Sequence, residues 1–246
     1  MLELLPGDGN HLILACAATF AAGLIRGFAG FGSGMIMVAV LLSLYPPMLA
    51  MPTVLFTELI LSVILLPAVV RHVRWLLILP IATAAAFVAP LGVWVLGLLN
   101  PDLARLLASF MILVFVVLAL FRNTAGAGVT RAAVLRTGAV SGFMGGVAGM
   151  TGPPVVALLL RMKLPPREVR STLIGYFVII DGLLLLNFSM QGSGGLAFLE
   201  LGLIVLVPLL GGSLMGAWLF PKASPRVYRN LALATVSAAA VISPTL

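Results

Sequence analysis

The chain alternates between long apolar runs and short polar breaks. Apolar elements fall at about 11–44, 48–70, 74–99, 103–121, 132–160, 168–190, 196–220 and 227–243, and no break between them is longer than about ten residues. Several contain 18 or more apolar residues, close to the roughly 20 that carry a helix across about 30 Å of hydrocarbon. Their Leu, Ala, Val and Ile content lacks the period-two alternation of barrel strands. The pattern predicts an all-α polytopic membrane protein.

The first and fifth elements are too long for one crossing. A straight helix of about 30 residues is about 45 Å long, well beyond the hydrocarbon core. Each is interrupted by glycines, as Gly27-Phe28-Ala29-Gly30-Phe31-Gly32-Ser33-Gly34 and as Gly145-Gly146-Val147-Ala148-Gly149-Met150-Thr151-Gly152-Pro153-Pro154. At an offset of about 119 positions, Gly23, Gly27, Ala29 and Gly30 fall on Gly142, Gly146, Ala148 and Gly149, and Pro46-Pro47 on Pro165-Pro166. This internal repeat divides one transport domain into halves at 1–124 and 125–246. Glycine costs about 1 kcal/mol relative to alanine inside a helix, so each cluster marks a break. Either a broken span still crosses, or a re-entrant hairpin reaches the midplane and returns.

Charge distribution separates the two. With both long elements as hairpins and the amino terminus outside, the inner loops carry Arg71 and Arg74; Arg122, Arg131 and Arg136; Arg161, Lys163, Arg167 and Arg170; and Lys222, Arg226 and Arg229. Of the Lys and Arg residues, Arg105 alone is then outside and Arg26 alone lies within the membrane. Eight full crossings divide these charges far less cleanly. The expected architecture is therefore two inverted-topology repeats, each a re-entrant broken-helix hairpin plus three transmembrane helices, with both termini periplasmic. The two glycine tips then approach the bilayer centre from opposite sides.

Composition narrows the function. With 62% hydrophobic and 9% charged residues and a mean hydropathy of +1.23, the chain has too few polar groups to cover a soluble globule. The net charge of +7 resides in the loops, without the basic stripe and interleaved aromatics of a nucleic-acid binder. Cys16 is the single cysteine, which excludes an intrachain disulfide or a thiolate cluster. No clustered His/Cys/carboxylate set suggests a metal, and no P-loop or nucleophile triad suggests an enzyme or a cofactor. Met1–Asn10 has Glu3 and Asp8 but no Lys or Arg, so it lacks the charged leader of a cleaved signal and is expected to be retained.

Polar groups at the expected midplane are few. A half-helix starts after each cluster, near Ser33-Gly34 and Thr151-Gly152-Pro153, and directs free N–H groups and a positive dipole end to the bilayer centre. Ser33 or Thr151 would cap that helix or offer a hydroxyl to a ligand. Arg26 immediately precedes the first cluster, and its fork suits an oxyanion; a structural ion pair with Glu58 or Asp181 is the equal alternative. Glu58 and Asp181 are the acids deep within spans, and Asp181 aligns with Ser62, one turn from Glu58. Intramembrane carboxyls equip a proton-coupled carrier or serve as fixed partners of Arg26. Asn187, Tyr176 and Thr57 either line the same cavity or join helices by hydrogen bonds. His72 is expected to be solvated in its loop, and His11 to lie near the outer surface.

On these glycine patterns, the repeated Pro-Pro pairs and the overall length, the chain resembles the sulfite exporter TauE/SafE family, also described as toluene-sulfonate uptake permeases. Ser33 and Pro153-Pro154 depart from the doubled-glycine pattern of that family. The resemblance implies a bacterial inner-membrane carrier of sulfite, sulfonates or other organosulfur anions. The expected substrate-binding residues are Arg26, Gly30, Gly32, Ser33, Gly34, Gly149, Thr151 and Gly152, with Glu58 and Asp181 coupling protons. The expected partners are a small anion and the lipid bilayer; a homodimer and a monomer both stay open. A passive anion channel and a carrier of non-sulfur organic anions are the alternatives. Replacing Arg26 is expected to weaken anion binding far more than folding.

Overall fold

The computed structural model describes residues 9–121, 129–162, 164–190 and 197–219. Among them every regular element is helical: α1 Gly9–Ala29, α2 Ser33–Leu44, α3 Pro47–Val69 with a 3₁₀ turn at Val70–His72, α4 Trp75–Leu98, α5 Pro101–Phe121, α6 Arg131–Ala148, α7 Gly152–Arg161, α8 Pro166–Met190 and α9 Ala197–Leu219. Five of these, α1, α3, α4, α8 and α9, are long and apolar enough to cross a membrane. The chain is a multi-pass membrane protein. The expected last element at 227–243 lies outside the described residues, as do Arg122, Lys163, Lys222, Arg226, Arg229 and the boundary between 124 and 125.

The helix ends follow from local chemistry. Gly30 and Gly32 have φ of 84° and 100°, and Gly149 has 64°, left-handed values that a side chain strongly disfavours. The helices therefore stop at Ala29 and Ala148 and restart at Ser33 and Gly152. Pro47 and Pro166 begin α3 and α8, where the missing N–H has no intrahelical partner to lose. Prolines also lie inside α3, α4 and α9.

Small residues set the longest packings. Gly23 meets the backbone at Leu209 and Gly27 meets it at Ser213, while Gly138, Gly142 and Gly146 meet Ile81, Ala85 and Ala89. Both series advance together, so α1 runs parallel to α9, and α6 runs parallel to α4. Close backbone approach of this kind is how helices associate where lipid supplies no hydrophobic drive. Each pairing joins helices distant in sequence, α1 with α9 and α4 with α6.

Side-chain ties locate the helix ends. Arg105 Nε donates to the Leu42 carbonyl at 2.7 Å, and the Thr53 hydroxyl donates to the Phe198 carbonyl at 3.4 Å. The end of α2 and the starts of α3, α5 and α9 thus share one end of the bundle, the Asn100 end. At the other end, Arg74 pairs with Glu168 at 2.7 Å, and the Arg74 N–H donates to the Thr172 hydroxyl at 3.2 Å. This Arg74 end collects the close of α3 and the starts of α4 and α8.

Candidate functional site

Arg26 occupies the last turn of α1 and is 1% exposed, the largest fully buried side chain described. Its Nη1 lies 3.3 Å from Glu58 Oε2 and its Nη2 donates to the Ser62 hydroxyl at 2.5 Å. Glu58 and Ser62 are one turn apart on α3, so a single helix face meets the guanidinium. From the other side the guanidinium carbon stands 4.1 Å from the Phe177 ring centroid, a cation–π contact of about 2 kcal/mol when desolvated. At the repeat offset Glu58 corresponds to Phe177 and Ser62 to Asp181. Arg26 is therefore gripped by equivalent turns of α3 and α8, one acidic and one aromatic.

Asp181 is 2% exposed and accepts from the Thr151 hydroxyl at 3.3 Å. Thr151 precedes α7 without a side-chain cap, so its hydroxyl serves the carboxyl rather than the helix. The Thr151 carbonyl in turn accepts from the Ser141 hydroxyl, which also bonds the Tyr176 hydroxyl at 2.7 Å. Ser33 likewise does not cap: Gly32 precedes α2 in a left-handed conformation, and the buried Ser33 hydroxyl has no partner among the described residues.

These groups surround a small cavity of about 30 Å³ whose wall includes Arg26, Glu58 and Asp181 together with Gly32, Gly34, Gly149, Thr151 and Gly152. Phe31, Met35, Leu55, Met150, Pro153 and Phe177 form its apolar side. Eight of the ten expected site residues thus come together from five helices and their breaks. Gly30 and Ser33 lie off the wall; Gly30 faces Arg170, whose Cγ would lie 2.5 Å from an added Cβ. Thr57 bonds back to the Thr53 carbonyl and Asn187 to the Leu183 carbonyl, and with Tyr176 both join helix structure rather than the cavity. His72 and His11 are exposed.

The two helix starts are unequal as anion sites. α2 opens with Ser33, Gly34 and Met35, each with an N–H, whereas α7 opens with Gly152 followed by Pro153 and Pro154, which have none. The stronger set of donors thus belongs to the same glycine break as Arg26. Arg26 Nε, Glu58 Oε1 and Asp181 Oδ2 are buried and unpartnered among the described residues. A saturated structural pair would leave no such valences.

Phe177, Ser62 and Arg170 are participants that sequence reading did not assign. The spacing of Phe177 to Asp181 and of Glu58 to Ser62, four residues in each case, is the signal that places them on shared faces.

Long apolar helices around a buried, charged cavity define a polytopic membrane transporter. The chain belongs to the sulfite exporter TauE/SafE family, whose model matches residues 15–242. It is 28% identical over 238 residues, 93% of this chain and 90% of the relative, to the "Probable sulfite/organosulfonate exporter TauE" of Cupriavidus necator. No solved structure matches it.

Proposed function

We propose that the protein is a secondary transporter, working as an exporter, of small sulfur-containing oxyanions such as sulfite or organosulfonates. It sits in the bacterial inner membrane with both termini periplasmic. The halves 1–124 and 125–246 are inverted repeats, and α1–α2 and α6–α7 are re-entrant hairpins. The helix directions support this reading. Because α1 parallels α9, it starts at the Asn100 end, where α2 also finishes; because α6 parallels α4, it starts at the Arg74 end, where α7 leads into α8. The equivalence extends to single contacts, since Gly30 packs on Arg170 and Gly149 on Met51, both pairs offset by 119 positions.

The observation that carries the function is Arg26, buried with an unused donor beside the first turn of α2. An oxyanion bridging the guanidinium and those N–H groups satisfies both. The two carboxyls at the same cavity supply proton coupling. With about 30 Å³, the cavity has room for roughly two waters, the scale of a small oxyanion.

Counterflow in proteoliposomes tests the proposal: unlabelled internal sulfite or sulfonate should drive uptake of labelled anion, as a pore would not. Arg26→Ala is an imperfect probe, because Glu58 at 3.3 Å and Asp181 are left without their cation. Removing one member of a buried pair costs about 3–5 kcal/mol, so Arg26→Ala should weaken folding as well as anion binding. The Arg26→Gln/Glu58→Gln double variant keeps polar partners in place, and it should fold yet lose anion binding by about a hundredfold or more, as for a lost charged contact. Binding of wild-type strength in that variant would overturn the assignment of Arg26.

A further inference from the structure

Glu58 occupies one edge of the Arg26 fork, beside the unpartnered Nε offered to an incoming anion. Its Oε2 stands 3.3 Å from Nη1, and both residues share the wall of the same cavity. A carboxylate is itself an oxyanion, so the empty carrier already holds an internal stand-in for its cargo. We infer that Glu58 is an intramolecular competitor of the transported anion: substrate binds Arg26 only as Glu58 takes up a proton and withdraws, coupling one proton to each monoanion. This inference rests on the anion site proposed above and adds which carboxyl exchanges with cargo, and in what ratio.

Charge accounting leads to the same ratio. One guanidinium faces two carboxyls across the cavity. Burying an uncompensated charge is costly, so a neutral empty site has one proton between Glu58 and Asp181. A bound monoanion restores neutrality only if a second proton arrives. The bond changes balance: the Arg26–Glu58 ion pair is exchanged for an Arg26–anion pair, and a carboxyl O–H forms from a solvent proton.

From α1, Glu58 meets Arg26, and from α8 Asp181 across the cavity. Among the described residues, α8 also carries Arg167, Glu168 and Arg170 in its first two turns, with Arg170 bonded to the Gly27 carbonyl. α2 has no ionisable residue. The ionisable groups of α9 and α5 on the described side, Glu200, Asp102 and Arg105, lie in their first turns or next to them, at the Asn100 end. Arg71 and His72 follow the end of α3. The unbonded Glu58 Oε1 offers a place for the proton.

The test uses the full-length protein in detergent, with sulfite and methanesulfonate as probes. Calorimetric titration in two buffers of different ionisation enthalpy should give uptake of about one proton per methanesulfonate bound by the wild type. Wild-type affinity should fall as pH rises. Glu58→Gln removes the competitor while keeping shape. If the guanidinium is free a tenth of the time or less in the wild type, affinity at neutral pH should rise about tenfold or more, with proton uptake abolished. The variant should lose accumulation driven by a pH gradient.

Weaker binding by Glu58→Gln, or proton uptake unchanged in it, overturns the inference while leaving an Arg26 anion site standing. No binding of either probe by the wild type would instead overturn the transport reading itself. If Glu58→Gln is not recovered folded, the wild-type proton count decides alone: a count near zero refutes the competition, and a count near one supports it.

Discussion

The Gly27 carbonyl accepts a hydrogen bond from Arg170 Nη2 at 2.9 Å, which ties the end of α1 to the first turns of α8. The carbonyls at a helix C-terminus lack intrahelical donors and carry the negative end of the dipole, so a guanidinium suits them. The repeat mate of Arg170 is Met51, which touches Gly149 through its side chain and offers no comparable donor.

Removing that tie should loosen the α1 break specifically. A hydrogen bond to a charged group is worth about 1.5–3 kcal/mol, and each kcal/mol shifts melting by about 2–4 °C in a chain of 150–250 residues. Arg170→Gln should therefore melt several degrees below the wild type, with Arg170→Lys in between. Because Arg170 is off the cavity wall, the dissociation constant for anion should stay within about threefold. An unchanged melting temperature, read by tryptophan fluorescence, would show that the tie contributes nothing.

Two glycines separate packing from substrate access. An alanine at position 27 would drive its Cβ into the Ser213 backbone, whereas one at position 34 meets nothing within 4 Å. Backbone cannot yield as a side-chain tip does, so Gly27→Ala should cost about 1–3 kcal/mol or more. Gly34→Ala should be close to neutral in melting. Gly34 lies on the cavity wall, however, and its methyl should weaken anion binding about tenfold, the scale of one misplaced methyl in a pocket. Normal binding by a folded Gly34→Ala protein would move the anion away from the start of α2.

Membrane topology discriminates hairpins from through-spans. In a Cys16→Ser background, single cysteines at Thr130 and Leu164 flank α6 and α7. An impermeant maleimide applied to right-side-out vesicles should give the same result at both positions and the opposite result at Asn100. Opposite labelling at Thr130 and Leu164 would mean that α6–α7 crosses, and the inverted relation between halves would be lost.

Much of the helix pattern was legible before any coordinates. Glycine clusters, Pro-Pro pairs and apolar run lengths are local signals: backbone conformation at Gly30, Gly32 and Gly149 depends on having no Cβ, and helix starts at Pro47 and Pro166 depend on a missing N–H. The pairing of Arg26 with an intramembrane acid was one of two equal readings, because a buried cation requires a counter-charge and Glu58 and Asp181 are the acids deep within the spans.

Choosing Glu58 over Asp181 was a tertiary decision. It depends on α1 meeting α3 with its acidic turn and α8 with its aromatic turn, Glu58 and Phe177 being 119 positions apart. The Phe177 ring under the guanidinium, the Ser62 hydroxyl on it and the enclosed volume beside it arise the same way. By itself, the sequence determined where helices break and which charges are buried, since those depend on single residues and their neighbours. Which charge faces which, and how much room is left between them, was decided by helix directions that only packing across the whole bundle fixes.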